Sequence, residues 1–368
     1  MTSWTGFVTY TDFVAGDDKG GVQHDDLFNG AYGLGKMNEA RASYTSAYVV
    51  EEVEAKDGET KIAWIPATKA EVVDDGTELF VDSETGILYT DEEHTEKYAP
   101  AEKTKIKYIY DNVVIPQKKL VHLRAIQRAI PLKARCRRIA ITYSLIAQFQ
   151  AKTDYNMDLN QQLVAQASGE LAYEIDSEGI DLLCKAAVED ARLTFSRTQP
   201  IGVSLRDHFE AFSRILAVAK AIVYNRTQKY QPNYMVCAAD CLDVLSMNSQ
   251  FRPAATGAVY GPYFAGTFGS LKVYVSPMLE PGKFFIGVNG SDLQTSAAVY
   301  APYMPVVPTQ LLGLPDGTMT QGFATMYDLR LLSRAVAIDG DKVEVDYDND
   351  GLTIGEFSPL LVAGKIVD

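Results

Sequence analysis

The sequence predicts an α+β protein, and three observations carry that prediction. Leu132 to Leu183 has helical periodicity over most of its length. Ser46 to Pro100 consists of short apolar runs separated by turn residues. From Ser204 to Val307 helix and strand signals alternate, as in a mixed layered lobe. At 368 residues, two or three lobes are expected rather than one core.

The bulk numbers exclude several classes. Hydrophobic residues make up 47% and charged residues 22%, the balance of a well-folded chain. A net charge of −14 argues against general binding to nucleic acid or anionic membranes. No run of eighteen apolar residues offers a transmembrane span. Met1-Thr2-Ser3-Trp4 lacks the basic and apolar regions of a secretory signal. Four cysteines, Cys136, Cys184, Cys237 and Cys241, suggest a reducing compartment without a disulfide framework.

Residues 1–45 are rich in Gly, Ser, Thr, Asp and Asn, and residues 16–21 read as a loop. The segment has too little periodic apolar content to fold alone. Its aromatics, Trp4, Phe7, Tyr10 and Phe13, favour an arm packed on neighbouring subunits over a floppy terminus. Short strands are expected around residues 48–53, 61–65, 78–81 and 86–89, with hairpin signals at 56–58, 74–76 and 83–86. A two- or three-stranded ribbon alone is marginal in water, so it should lean on something.

Charge is distributed unevenly along this part of the chain. Residues 51–98 hold fifteen acids against four lysines. The candidate acidic face comprises Glu51, Glu52, Glu54, Glu71, Asp74, Asp75, Glu78, Asp91, Glu92 and Glu93. Residues 103–138 reverse the sign, with eleven Lys and Arg and the single acid Asp111. The candidate basic face comprises Lys103, Lys105, Lys107, Lys118, Lys119, Arg124, Arg128, Arg135, Arg137 and Arg138. Lys103, Lys105 and Lys107 alternate, so in a strand they line one face. Three readings stay open for the band: a solvated surface, docking of the acidic ribbon of another copy, or DNA contact. Opposite charge on two modules of one chain can set register and orientation in self-assembly.

Leu132, Cys136, Ile139, Tyr143 and Ile146 recur at helical spacing, which predicts a first helix over Leu132 to Phe149. The pattern pauses at residues 153–157. Asp158 reads as an N-cap with Gln161 three residues on, opening a second helix along Leu159, Leu163, Ala167, Leu171 and Ile175. The two halves should span about 30 and 39 Å. After a turn at residues 197–202, Ser204 caps a further helix with Asp207, its apolar face being Phe209, Phe212, Ile215, Leu216 and Ala219. Strands are expected at residues 233–237, 271–275, 284–288 and 297–307, and Asp240 as the cap of a short helix. Residues 342–347 alternate cleanly and lead into a hairpin turn at residues 348–351.

The string from Leu132 to Ile175 resembles the kinked spine helix of the major capsid proteins of T-even-like tailed phages, with Glu170, Glu174 and Ile175 in corresponding places. A second segment, Ala298-Val299-Tyr300-Ala301-Pro302-Tyr303 followed by Gln321-Gly322-Phe323-Ala324-Thr325-Met326-Tyr327, is similar to a C-terminal segment of the same family. The resemblance covers residues 100–330 and implies an HK97-like capsid fold. It implies an N-terminal arm at 1–45, an extended E-loop and the start of the peripheral domain at 46–118, and a peripheral domain with its spine helix at 119–200. An axial domain at 201–330 and C-terminal strands at 331–368 complete the layout; residues 335–368 go beyond the family pattern. The family's helical pro-segment has no counterpart in residues 1–45, which do not read as a helix.

The function so implied is structural: a shell of hexamers, with or without pentamers of the same chain, enclosing phage DNA without sequence-specific binding. Its partners would be copies of itself and vertex, portal, scaffold and decoration proteins, in a virion assembled in the host cytoplasm and involving no membrane. A vertex protein of the same fold and a soluble α/β enzyme with a dispersed site are the competing readings. No catalytic, cofactor or metal site is expected. Cys237 and Cys241 have no further zinc ligands in pattern. Residues 346–351 lack the twelfth-position Glu of a calcium loop. No Walker loop, nucleophile elbow or Rossmann fingerprint is present.

Overall fold

A computed structural model of the chain describes residues 3–17, 22–30, 35, 44, 49–54, 67–82, 85, 87–101, 104–110, 121–255, 257, 261–333, 335–345 and 355–367. The chain divides into two compact units. The smaller comprises Phe13–Asn29 and Gly35–Ala125; the larger comprises Met1–Asp12, Gly30–Leu34 and Ile126–Asp368. Both α and β elements are present, as expected.

In chain order the first strands are β1 (Thr5–Ala15), β2 (Leu27–Asn29), β3 (Val49–Glu54), β4 (Ala67–Val72), β5 (Glu78–Val81), β6 (Leu88–Tyr89) and β7 (Lys105–Tyr110). The last five form one antiparallel sheet in the smaller unit, in the order β3-β7-β4-β5-β6. Period-two alternation explains it: Ile106 and Tyr108 are buried between half-exposed or exposed Lys105 and Lys107, as are Ala70 and Val72 around Glu71. Ala70, Val72, Leu79, Val81, Leu88, Ile106 and Tyr108 make the core of this sheet. The ribbon therefore becomes a five-stranded sheet with a core of its own. The expected strand at 61–65 and hairpin at 56–58 lie outside the described residues.

The chain continues with β8 (Leu123–Lys133) and β9 (Arg135–Ser144), followed by α1 (Leu145–Tyr155) and α2 (Leu159–Ala186). This corrects the helix expected over Leu132 to Phe149. Residues 135–144 are a strand in unbroken antiparallel register with a later strand. Arg137, Ile139, Ile141 and Tyr143 are the more covered side chains and their neighbours the more exposed. The same residues satisfy a four-three spacing and a two-residue spacing. Tertiary pairing of β-branched and aromatic side chains decides for the strand.

The second helix is as expected, with Asp158 accepting from the N–H groups of Asn160 and Gln161. It runs 28 residues, about 42 Å. The pause is the C-cap of α1, where left-handed Asn156 donates its N–H to Ala151.

Next come β10 (Val188–Ser196), α3 (Leu205–Glu210), α4 (Phe212–Thr227), β11 (Tyr234–Cys237), α5 (Leu242–Ser246), β12 (Phe251–Pro253), β13 (Tyr263–Phe268), β14 (Leu271–Val275) and β15 (Lys283–Gly287). Ser204 caps α3 as expected. Asp240 does not cap α5; its carboxylate instead accepts from Arg197 and the Gly282 N–H. The chain closes with β16 (Ala298–Pro308), β17 (Leu312–Gly313), β18 (Thr318–Leu331), β19 (Ala335–Asp339), β20 (Lys342–Val345) and β21 (Leu361–Val367).

Seven strands form a mixed sheet in the order β10-β21-β15-β11-β14-β13-β12. Helix α4 covers it with Phe212, Leu216, Ala219, Ile222 and Val223, all buried. β21 sits in the interior of this sheet between β10 and β15, so the final segment, which the family pattern left unplaced, is core. Val8 and Tyr10 of β1 join the same core with Ile130 and Leu132. Within the expected arm, β1 thus packs Val8 and Tyr10 on the chain's own core and leaves Trp4, Phe7 and Phe13 exposed. A second sheet joins β16 and β17 to β18, and β18 to β9. Helix α2 lies on it through Val164, Ala167 and Leu171 against Ile139, Ile141, Val306 and Phe323. The hairpin turn at the C-terminal alternation falls at Gly340, between β19 and β20. The expected turn at residues 348–351 lies outside the described residues.

Candidate assembly surfaces

The two motifs that carried the resemblance at the C-terminal end become neighbouring strands. Pro302 in β16 stands opposite Tyr327 in β18, and the Tyr300 and Tyr327 rings lie 5.6 Å apart. The spine string meets them from the other side, since Arg135 in β9 is opposite Tyr327.

Arg137 is the centre of that junction. Its Nε donates to Tyr327 Oη (2.6 Å), Nη1 to Glu174 Oε2 (2.6 Å) and Nη2 to Glu178 Oε2 (2.5 Å). Tyr327 Oη donates to Glu178 as well (2.6 Å). Arg135 adds a contact to Glu178 Oε1 (2.8 Å) and lies 5.9 Å from the Tyr327 ring centroid. Buried Asp328 accepts from the Lys133 N–H (2.7 Å) and pairs with Arg330 (3.1 Å). Burial alone would raise Glu178; the hydrogen bonds from Tyr327 and Arg137 outweigh it and hold the carboxyl below its ordinary value. Tyr327 is pushed up, first by burial and then by its bond to Glu178. Chemically this is a brace: one guanidinium ties helix α2 to two strands with charge-assisted bonds.

The remaining charged candidates distribute differently. Arg128 forms a largely buried pair with Asp12 (3.0 Å), and Arg124 pairs with Asp25 (2.5 Å). Lys107 lies 3.7 Å from Glu71. Glu52 stands opposite Lys107 and Glu54 opposite Lys105, with Glu51 opposite Tyr108. The acidic ribbon and the alternating lysines are thus adjacent strands of one sheet. Glu78 stands opposite Glu71. Asp74, Asp75, Glu92 and Glu93 are exposed, while Asp75 and Asp91 accept from loop N–H groups of Thr77 and of Thr95 and Glu96. Arg138 is exposed and makes no ion pair among the described residues. Lys103, Lys118 and Lys119 lie outside the described residues.

The sequence reading missed an apolar surface. Helix α1 buries no residue, and Leu145, Ile146, Phe149 and Tyr155 are all more than half exposed. The hairpin beside it adds exposed Leu311, Leu312 and Leu314, tied to the helix start by the Leu145 N–H to Gly317 bond (3.0 Å). The signal was legible: within α1, Leu145, Ile146 and Phe149 share a face that nothing earlier in the chain was assigned to cover.

No curated protein matches the sequence. Among solved structures, a chain of the capsid of Myoviridae phage XM1 is similar at a TM-score of 0.43 and 8% identity, over 88% of this chain and 86% of that one. The mature capsid of bacteriophage PhiM1 gives 0.40 at 10% identity, over 69% and 77%. An encapsulin complex from Synechococcus elongatus PCC 7942 gives 0.39 at 13%, over 67% and 78%. Residues 12–350 match the family described as Major capsid protein Gp23. The chain therefore belongs to the Gp23 major capsid protein family: it is a structural protein that assembles with copies of itself into a bacteriophage head shell.

Proposed function

We propose that the chain forms hexameric capsomers of an HK97-like shell, icosahedral or prolate, around phage DNA. The observation that carries the reading is helix α1 with its neighbouring hairpin. An eleven-residue helix is marginal in water without a packed face, and here every apolar side chain waits for cover. A neighbouring copy supplies that cover in a shell. In this reading the smaller unit is the E-loop module reaching an adjacent subunit, α2 and its sheet are the peripheral domain, and the seven-stranded sheet is the axial domain. The net charge of −14 suits an enclosure that does not adhere to its DNA. Scaffold, portal, vertex and decoration proteins are its further partners, and assembly takes place in the host cytoplasm before the virion is complete.

Size-exclusion chromatography with negative-stain microscopy tests this directly: hexamers or megadalton particles are expected, and a monodisperse small oligomer would overturn it. Substituting Lys103, Lys105 and Lys107 together by Glu sets like charges opposite Glu52, Glu54 and Glu71 within the chain's own sheet, so particle yield is read per folded chain, and a loss is expected. Normal assembly of that variant at low and high salt would remove the docking role of this face.

A further inference from the structure

Where β11, β14 and β13 lie side by side, alternate residues line a cleft of about 830 Å³. Tyr234 stands opposite Lys272 and Phe264 opposite Tyr274, while Met235 and Val273 between them are buried. Helix α2 forms one wall, contributing Ile175, Asp176, Gly179 and Leu183 at helical spacing. Tyr300 of β16 lies on another side. All of these residues belong to the larger unit.

The chemistry of the lining is specific. Five aromatic side chains, Tyr234, Tyr263, Phe264, Tyr274 and Tyr300, bring ring faces that attract organic cations. Asp176 is the one carboxylate among the lining residues, and it has no hydrogen-bond or ion-pair partner among the described residues. Partial burial pushes its carboxyl up, and no neighbouring cation offsets this. Lys272, the one basic lining residue, is exposed and does not pair with it. Gly179 adds an independent sign. Glycine is a poor residue for the interior of a 28-residue helix. Apart from its own stretch of helix, no atom lies within 4 Å of where a Cβ would stand, so packing within the chain does not require it. A ligand lying against the helix backbone does. Gly169 is equally open but off the cleft, so Gly179 counts only together with the wall around it.

We infer that the cleft binds a small organic cation, an ammonium group on an apolar body, with Asp176 as its counter-ion and the aromatic rings around it. A concave, largely apolar site with few polar groups suits such a ligand. The site lies within one chain, so it stands apart from the hexamer reading.

Three probes of similar size test it by calorimetric titration into the full chain and into assembled particles: benzyltrimethylammonium, neutral benzyl alcohol and anionic benzenesulfonate. Saturable binding of the cation at one site per chain is expected, about tenfold or more tighter than either other probe. Asp176→Asn should weaken the cation by about tenfold and leave benzyl alcohol within about twofold, whereas Lys272→Gln should leave the cation as tight or tighter. Gly179→Leu, which projects into the cleft, should abolish binding with the circular dichroism spectrum unchanged. Ala172→Leu, at an exposed position of the same wall, repeats that test without touching the glycine. Equal binding of the three probes, or cation binding indifferent to Asp176→Asn, would overturn the site. Binding to free chains that disappears in particles would mean that a neighbouring copy covers the cleft, and would overturn it too.

Discussion

Two charged regions of this protein contrast. At the junction of α2, β9 and β18, Arg137 has three partners within 2.6 Å and one third of its side chain exposed. In the smaller unit Lys107 reaches Glu71 at 3.7 Å, with both side chains 37% exposed. The first arrangement commits charge to the fold, since each bond is short, charge-assisted and partly removed from water. The second leaves charge screened and available, because exposed pairs contribute about 0–1 kcal/mol. A shell protein needs both kinds: a brace that holds its helix and a face that can still answer to a neighbour.

Breaking the brace should give the largest effect. Arg137→Ala removes the donor shared by Glu174, Glu178 and Tyr327, leaving Glu178 with Tyr327 and Arg135, and is expected to lower stability by about 2–3 kcal/mol in chemical denaturation. A loss under half that would mean the junction is ornamental. Glu178→Gln should cost less and should sharpen the contrast through pH. The folded carboxyl lies below its ordinary value, so its contribution is present above the unfolded glutamate pKa, about 4.3, and disappears as pH falls through the folded value. The difference in melting temperature between parent and Glu178→Gln should therefore be largest near pH 7 and shrink on acidification below pH 4. Phe149→Ser, at a residue 71% exposed, should shift monomer stability by less than about 0.5 kcal/mol while reducing particle yield. Smallest of all, a double-mutant cycle on Lys107 and Glu71 should return a coupling below about 0.5 kcal/mol that vanishes at high salt.

Much of the layout was readable in advance. The caps at Asp158 and Ser204, the helix through Leu171, and the strands at residues 233–237 and 271–275 all follow from local signals that the tertiary structure reinforces. Residues 132–149 misled because Leu132, Cys136, Ile139, Tyr143 and Ile146 fit a helix while Ile139, Ile141 and Tyr143 fit a strand. Only a partner 184 residues away, with Phe323 opposite Ile139, settles the choice. The acidic and basic segments were legible as opposites. Their adjacency as β3, β7 and β4 was not, because register between distant strands is set by the core residues Ala70, Val72, Ile106 and Tyr108.

By itself the sequence determined the α+β class, the capped second helix, the charge asymmetry and the two motifs that mark the capsid family. Those depend on spacing and side-chain chemistry within a few turns or strands. Tertiary structure alone decided that the motifs converge on Arg137 and that the final strand is interior. It also decided that α1 keeps its apolar face in water. Each of those outcomes depends on which distant surfaces meet, and local periodicity carries no information about that.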